Sequence, residues 1–328
     1  MSEPTSAPAA ESPAPYGTGA APASAGIKRI RTHHLREMKE RGEKITMLTS
    51  YDMYTAQVFD EAGIELLLVG DSASNNVYGN ETSLPVTVDE LIPLTRAVSR
   101  SAKRAMVVGD LPFGSYQASP EQGYLTAVRF MKEGGAHCVK LEGGREMAPQ
   151  IEAMTRGGIP VIAHIGFTPQ SEHALGGYRV QGRGESAERV LGDALAVQEA
   201  GAFAVVMEMV PGDVAAEVSQ RLAIPTIGIG AGNGCDGQVL VWQDAFGLRS
   251  GRLPRFVKQY ADVRGVLLEA ARAYWTGLDG DARRQEVVQK LRKMCRHHHL
   301  VRPCVIDLLS ERKRKGGLLC SAGAGGNT

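Results

Sequence analysis

Four short apolar runs in this sequence each lead to a carboxylic acid. The acids are Asp71, Asp110, Glu142 and Glu208, which follow the runs that begin at Leu66, Ala105, Cys138 and Phe203. A run of this length is typical of a strand buried on both faces, and a buried charge at its end is costly unless it is paired or binds a metal ion. The pattern therefore predicts acidic groups that converge at the carboxyl edge of one parallel sheet, where α/β enzymes carry their chemistry.

Asp71 and Asp110 are predicted metal ligands. Two carboxylates, with Glu142 as a third ligand, suit a hard divalent ion such as Mg²⁺, which takes oxygen ligands and keeps several waters. The alternative is structural, because an Asp at a strand end often caps the helix or turn that follows. Three acids at successive strand ends favour a metal site over three separate caps.

Lys140, Glu208 and His164 are the other candidates for chemistry. Lys140 lies two residues before Glu142, so both side chains leave the same face of the strand, and an ammonium there can bind a substrate carboxylate. Glu208 ends its run in partly desolvated surroundings, which suits a general base. His164 is either a substrate contact or a hydrogen-bonded core residue. Structural ion pairs are the alternative for Lys140 and Glu208.

The elements that must position these residues alternate between strand and helix patterns. The predicted strands are Ile45–Ser50, Leu66–Ser72, Ala105–Leu111, Cys138–Glu142, Val161–Gly166, Phe203–Val210, Thr226–Gly230 and Val239–Asp244. Predicted helices are Tyr54–Ala62, Val88–Arg100, Pro120–Lys132, Ala187–Ala200 and Asp213–Leu222, preceded by a basic amphipathic helix over Ile27–Lys44. Eight such units predict a (β/α)₈ barrel. A doubly wound sheet is the alternative, but no Gly-x-Gly-x-x-Gly opens a helix after the first strand.

The composition fits an ordinary globular enzyme. The chain has 328 residues, of which 43% are hydrophobic and 22% charged, and its apolar runs are far shorter than a membrane span. Residues 1–26 are rich in Ala, Pro, Ser and Gly and are expected to be a disordered extension, without the features of a secretory or transit signal. Five scattered cysteines favour a reduced, cytoplasmic protein.

The end of the chain is basic. Residues 281–328 hold 11 Lys and Arg against 4 Asp and Glu, a net charge of +7 within a chain whose net charge is +1. A basic tail of this kind can contact nucleic acid, and a non-enzymatic binding protein is one reading of it. A solvated tail without a nucleic-acid partner is the interpretation we favour.

Eight phrases of the sequence, taken in order, resemble one family. They include Leu-Val-Gly-Asp71-Ser72, Gly109-Asp110-Leu-Pro-Phe113, Val139-Lys140-Leu-Glu142, His164-Ile-Gly-Phe-Thr-Pro-Gln170, Gly176–Gly184 and Glu208-Met-Val-Pro211. Over residues 28–275 the chain resembles the ketopantoate hydroxymethyltransferases. A carbon–carbon or phosphorus–carbon lyase or mutase of the same barrel superfamily is the nearest enzymatic alternative.

The resemblance implies a barrel of the phosphoenolpyruvate/pyruvate type and a role in pantothenate synthesis. The implied reaction transfers a hydroxymethyl group from 5,10-methylenetetrahydrofolate to 3-methyl-2-oxobutanoate, giving 2-dehydropantoate. By resemblance, Mg²⁺ is held by Asp71, Asp110 and Glu142, the 2-oxoacid is contacted by Asp71, Ser72, Asp110 and Lys140, and Glu208 accepts the proton. His164 is assigned to the incoming hydroxymethyl group. The family also implies a homo-oligomer, a decamer of two pentamers, without a membrane partner.

The sequence departs from the family after Trp275. The segment that usually ends the family's chains is replaced by Thr-Gly-Leu-Asp-Gly and the basic tail. The predicted domains are therefore an extension at 1–26, a catalytic barrel at 27–275 and an atypical, partly disordered tail at 276–328. All residues assigned to the site precede the departure, so it bears on assembly and not on the site.

Overall fold

The computed structural model describes residues 28–280 and residue 289. These residues divide into two compact units, one of residues 28–246 and 251–260 and the other of residues 247–250 and 261–280. The first unit holds every residue assigned to the site. The predicted N-terminal extension and most of the predicted tail lie outside the described residues.

Eight parallel strands of the first unit close into a barrel. They are β1 (Ile45–Thr49), β2 (Leu66–Val69), β3 (Met106–Asp110), β4 (Cys138–Glu142), β5 (Val161–Gly166), β6 (Ala204–Glu208), β7 (Thr226–Ile229) and β8 (Gly237–Leu240). Each strand pairs with the next one along the chain, and β8 pairs with β1. The predicted (β/α)₈ barrel is confirmed, and the doubly wound alternative is wrong.

Helices connect the strands along the outside of the barrel. In chain order they are α1 (Thr32–Glu40), α2 (Met53–Glu61), α3 (Ala73–Asn76), α4 (Val88–Ser101), α5 (Pro120–Lys132), α6 (Ala148–Arg156), α7 (Glu172–Leu175), α8 (Ser186–Glu199), α9 (Gly212–Arg221) and α10 (Trp242–Ala245). Hydroxyl groups cap two of these helices: the Thr87 hydroxyl accepts the Glu90 N–H at the start of α4, and the Ser119 hydroxyl accepts the Gln122 N–H at the start of α5. Short 3₁₀ turns lie at Arg145–Met147 and Pro169–Ser171.

Side chains alternate between the two faces of each strand and form two apolar layers and one polar layer. The inner layer comprises Ile45, Met47, Leu66, Leu68, Met106, Val108, Cys138, Ile162, Ala204, Val206, Ile227 and Val239, joined by Leu35 of α1. The intervening strand residues join a second cluster with the helices. Because side chains alternate with period 2, the inner series continues past its last apolar members into Asp110, Lys140, Glu142, His164 and Glu208. The apolar layer thus forms the floor beneath a polar barrel mouth.

Three predicted elements differ from the structure by more than two residues at one end or both. The last strand is Gly237–Leu240 rather than 239–244. It begins at Gly237, which packs so closely against the Ile45 carbonyl that a Cβ would clash. It ends before α10 (residues 242–245), where the Trp242 N–H donates to Thr49 Oγ1. The second strand stops at Val69, since the chain turns at Asp71 into α3. The first helix spans only 32–40, and Gly42 (φ 71°) reverses the chain after it.

The second unit contains α11 (Val263–Gly280). The Asp262 carboxylate accepts the Gly265 N–H in its first turn, and Leu267, Tyr274 and Trp275 are exposed. The predicted domain boundary at 275 falls inside this helix and stays a prediction. No helix within the described part of the chain is both long and apolar enough to cross a membrane.

Candidate active site

The predicted site residues meet at the carboxyl ends of β2 to β6. Strand register aligns Asp110 with Lys140 and Glu142 with His164, and it places Glu208 beside Gly166 at the end of β5. Asp71 follows β2 by two residues, and its backbone N–H donates to Asp110 Oδ2 at 2.9 Å. All of these side chains are buried except that of Glu208, which is partly exposed. The convergence predicted from four separate strand ends is therefore present.

Lys140 lies among carboxylates at the centre of the cluster. Its Nζ is 2.8 Å from Asp110 Oδ1 and 4.0 Å from Glu142 Oε1. Burial lowers the pKa of Lys140, but the charges of Asp110, Glu142 and Asp71 outweigh burial and raise it above its ordinary value. Lys140 is therefore an ammonium at neutral pH, which is the form required to bind an anionic substrate.

His164 bridges two acids. Its Nδ1 lies 3.4 Å from Glu142 Oε1 and its Nε2 lies 3.4 Å from Glu208 Oε2. Burial and the nearby Lys140 ammonium lower the pKa of His164, but the contacts with Glu142 and Glu208 outweigh them and raise it to about 9. The ring is thus a cation that joins the predicted base to a predicted metal ligand.

The acids outnumber the cations in this cluster. Burial, followed by the charges of Asp110 and Glu142, raises the pKa of Asp71 well above its ordinary value. Burial also raises the pKa of Asp110, although Lys140 opposes the effect. Burial acts in the same direction on Glu142, but contacts with His164, Lys140 and the Gln170 N–H outweigh burial, and the pKa of Glu142 is lowered. Four acids in all, Asp71, Asp110, Glu142 and Glu208, thus face two basic side chains, those of Lys140 and His164.

The donor set fits one divalent cation. Asp71 Oδ2, Asp110 Oδ2 and Glu142 Oε2 each accept a protein N–H, while Asp110 Oδ1 and Glu142 Oε1 are buried without a well-formed hydrogen bond among the described residues. As these side chains stand, no group of three His, Cys, Asp or Glu residues within 28–280 converges tightly enough to hold an ion. Mg²⁺ does not require such a cluster, because one or two carboxylates, water and substrate oxygens commonly complete its octahedron.

Backbone geometry at the end of β6 fixes the position of Glu208. Met209, the next residue, has φ 49°, the one positive φ at a non-glycine among the described residues. Its N–H donates to the Ile229 carbonyl and its carbonyl accepts the Gln181 N–H, each at 2.9 Å. Gly166 (φ 89°) approaches the Glu208 carbonyl so closely that a Cβ would collide with it. A left-handed non-glycine residue is uncommon and often marks a functional site.

Three residues near the site, Tyr51, Tyr116 and Gln170, were not among the predicted site residues. Ser72, predicted as a substrate contact, lies with its hydroxyl 2.9 Å from the Tyr51 hydroxyl, and burial raises the pKa of Tyr51 to about 12. Gln170 and Tyr116 contact Asp71 and Glu142 from the loops after β5 and β3. Gln170 ends one of the quoted family phrases, whereas no pattern in the sequence distinguishes Tyr51 or Tyr116.

The fold is similar to those of several solved enzymes of low sequence identity. A phosphonopyruvate hydrolase solved with oxalate and Mg²⁺ superposes with a TM-score of 0.52 at 12% identity, covering 87% of this chain and 96% of the hydrolase. A phosphoenolpyruvate phosphomutase from Streptomyces platensis subsp. rosaceus gives 0.51 at 16% identity, covering 86% and 97%. A 2,3-dimethylmalate lyase, a member of the PEP mutase/isocitrate lyase superfamily, gives 0.51 at 18% identity, covering 76% and 88%. These likenesses agree with the closed (β/α)₈ barrel of this chain.

Within this class, the chain belongs to the ketopantoate hydroxymethyltransferase family, which it matches over residues 29–281. A 3-methyl-2-oxobutanoate hydroxymethyltransferase from Nocardioides sp. (strain ATCC BAA-499 / JS614) is 77% identical over 270 residues, covering 80% of this chain and 92% of that relative. The enzyme of the same name from Arthrobacter sp. (strain FB24) is 65% identical over 273 residues, covering 81% and 91%. The family resemblance read from the sequence is confirmed.

Proposed function

We propose that this chain transfers a hydroxymethyl group from 5,10-methylenetetrahydrofolate to 3-methyl-2-oxobutanoate. Family membership over residues 29–281 carries the reaction. The cluster at the barrel mouth supports the chemistry. It combines a carboxylate that can act as a base, an ammonium that can bind an acidic 2-oxoacid, and carboxylate oxygens that can bind a metal ion. The reaction consumes one water, whose oxygen becomes the new hydroxyl, and yields 2-dehydropantoate and tetrahydrofolate.

Asp71, Asp110 and Glu142 are the proposed ligands of Mg²⁺. Carboxylate oxygens are the hard donors that Mg²⁺ takes, and Asp110 Oδ1 and Glu142 Oε1 are buried without a well-formed hydrogen bond in the described part of the chain. When bound, Mg²⁺ supplies Lewis-acid polarisation of the 2-oxoacid's oxygens, which acidifies the neighbouring C–H bond. The protein contributes by holding one oxygen of each carboxylate in a hydrogen bond.

Lys140 and Ser72 are the proposed contacts that orient the 2-oxoacid. Lys140 Nζ projects from β4 at the level of Asp110, where it can bind the substrate carboxylate as a point charge. Ser72 is half-buried beside Asp71 and keeps a hydroxyl near the same end of β2. Two fixed polar contacts are sufficient to align a small planar acid with its C3 toward β6.

Glu208 is the proposed base. Its Oε2 takes the C3 proton, and the electron pair left on C3 forms the new bond to the one-carbon unit delivered by the folate. The imidazolium of His164, 3.4 Å away, stabilises the Glu208 carboxylate and lies where it can contact the incoming hydroxymethyl group. General-base catalysis of this kind contributes about 10²–10⁴-fold.

Proton exchange at C3 of 3-methyl-2-oxobutanoate in D₂O tests the proposal without the folate. We expect the wild-type chain to exchange this proton in the presence of Mg²⁺. Glu208→Gln should bind the 2-oxoacid but should exchange its C3 proton at least about 10²-fold more slowly than the wild-type chain. Glu152→Gln, which removes an exposed carboxylate paired with Arg156, is the matched control. Exchange by Glu208→Gln at the rate of Glu152→Gln would remove Glu208 from the base role.

We also propose that the protein is a cytoplasmic homo-oligomer, in keeping with the family's decamer. Light scattering after gel filtration tests the assembly. A monomer at micromolar concentration would contradict it without bearing on the reaction.

A further inference from the structure

Gln170 is a buried glutamine whose hydrogen bonds all end at the barrel mouth. It lies in the 3₁₀ turn Pro169–Ser171 after β5 and is 5% exposed. A buried amide has two donor and two acceptor positions to satisfy. Every position of this amide is used, and its backbone N–H is used as well.

The orientation of the Gln170 amide follows from the chemistry of its partners. Nε2 donates to Asp71 Oδ2 and to the Leu111 carbonyl, both at 3.0 Å. Oε1 accepts from Gln117 Nε2 at 3.2 Å and lies 2.7 Å from the Tyr116 hydroxyl. The first two partners are acceptors and Gln117 Nε2 is a donor, so exchanging the amide's nitrogen and oxygen would turn three attractive contacts into repulsive ones.

The backbone of Gln170 reaches a second acid. Its N–H donates to Glu142 Oε2 at 2.9 Å, while the Tyr116 hydroxyl accepts the Glu142 N–H at 3.1 Å. One residue of the loop after β5 therefore holds the acids that follow β2 and end β4. In each case it engages one carboxylate oxygen and leaves the other, Asp71 Oδ1 and Glu142 Oε1, outside its own hydrogen bonds.

We propose that Gln170 is a positioning residue that sets which oxygens of Asp71 and Glu142 face the bound cation. This inference rests on the proposed function, since it takes these acids as ligands. A carboxylate held at one oxygen presents the other, so Gln170 selects single-oxygen coordination through its side-chain amide at Asp71 and through its backbone N–H at Glu142. Removal of a partner of this kind typically costs 10- to 100-fold in metal affinity or activity.

The test uses Mn²⁺ alone as the probe, with the full-length chain. Gln170→Met keeps the volume and removes the amide, and Gln170→Glu keeps the shape but places a carboxylate oxygen against Asp71 Oδ2. Gln150→Met is the matched control, because Gln150 is similarly buried (6% exposed) and its Nε2 donates to the Gln117 carbonyl at 3.5 Å rather than to an acid. Mn²⁺ affinity is measured from the electron paramagnetic resonance signal of the free ion, and folding from the thermal transition.

We expect Gln170→Met to bind Mn²⁺ 10- to 100-fold more weakly than Gln150→Met. The Mn²⁺ affinity of Gln170→Glu should also differ from that of Gln150→Met, because the added charge repels Asp71. The metal concentration for half-maximal C3 exchange should rise in parallel, with the rate at saturating metal less affected. Wild-type Mn²⁺ affinity in a folded Gln170→Met overturns the inference. If that variant does not fold, unchanged affinity in Gln170→Glu does so. Failure of the wild-type chain to bind Mn²⁺ or exchange the proton would instead refute the proposed function.

Discussion

His164 Nε2 lies 3.4 Å from Glu208 Oε2, across the gap between β5 and β6. The opposite ring nitrogen lies 3.4 Å from Glu142 Oε1, so one imidazole ring spans the distance from a proposed base to a proposed metal ligand. The two acids are 66 positions apart in the sequence. Parallel register brings them together through the strand between them.

Replacing His164 with Gln should slow C3 exchange by the folded protein, and it should also lower stability because it removes a buried charge from between two acids. Glutamine keeps a donor but loses the positive charge that stabilises the Glu208 carboxylate, and we expect a loss of about 10²-fold. Exchange in D₂O at saturating Mg²⁺, followed by nuclear magnetic resonance, gives the rate. His33→Gln, on the exposed part of α1, is the control, and equal rates in the two variants would show that the His164 charge plays no part.

Replacing Lys140 with Met should destabilise the barrel in a way that Mg²⁺ partly reverses. The variant leaves Asp110 and Glu142 buried without their ammonium partner, and breaking a buried ion pair costs about 3–5 kcal/mol. A bound divalent cation would restore some of the lost charge balance. Thermal unfolding with EDTA and with Mg²⁺ measures both effects. A shift on adding Mg²⁺ no larger than that of the wild-type chain would contradict the proposed cation site.

Substitutions of Met209 should separate backbone strain from side-chain loss. Gly adopts φ 49° freely, so Met209→Gly should leave the free energy of unfolding within about 1 kcal/mol of wild type. A β-branched residue tolerates this conformation poorly, and Met209→Val should lower the same free energy by about 2 kcal/mol. Urea unfolding compares them. The rate of C3 exchange should fall in the valine variant, because a change of backbone conformation at residue 209 displaces the neighbouring Glu208. Equal stability of the two variants would argue against strain at this position.

His137 should make stability depend on pH. Burial, followed by the charges of Arg29 and Arg31, lowers the pKa of His137 from 6.5 to about 4, and its Nδ1 accepts the Val107 N–H at 2.9 Å. Between these pH values the unfolded chain binds more protons than the native chain. Stability contributed by the neutral ring is therefore complete above pH 6.5 and is lost as the pH falls toward 4, on the order of 2 kcal/mol.

His137→Asn provides the measurement for that effect. Asparagine can present an oxygen to the Val107 N–H without titrating in this range. The difference in free energy of unfolding between pH 7.5 and pH 5 should be smaller in the variant than in the wild-type chain. Identical pH dependence would mean that His137 does not titrate with a lowered pKa.

The sequence predicted the barrel and most of the site because the relevant signals are local. A buried parallel strand is a short apolar run, and β4 and β5 were predicted at their observed bounds. The acids at strand ends belong to the same local pattern, and strand ends in a barrel share one rim. The prediction for β8 was wrong because its start depends on contact between Gly237 and Ile45, which are far apart in the sequence.

By itself, then, the sequence determined the fold, the family and the carboxylates, Lys140 and His164 at the barrel mouth. Only the tertiary structure decided that His164 bridges two acids, that Met209 adopts a left-handed conformation after Glu208, and that Gln170 holds Asp71 and Glu142. Each of these features depends on register between strands or on loops that meet across the barrel. No local pattern of residue types encodes such distances, because hydrogen-bond geometry is set by the whole closed sheet.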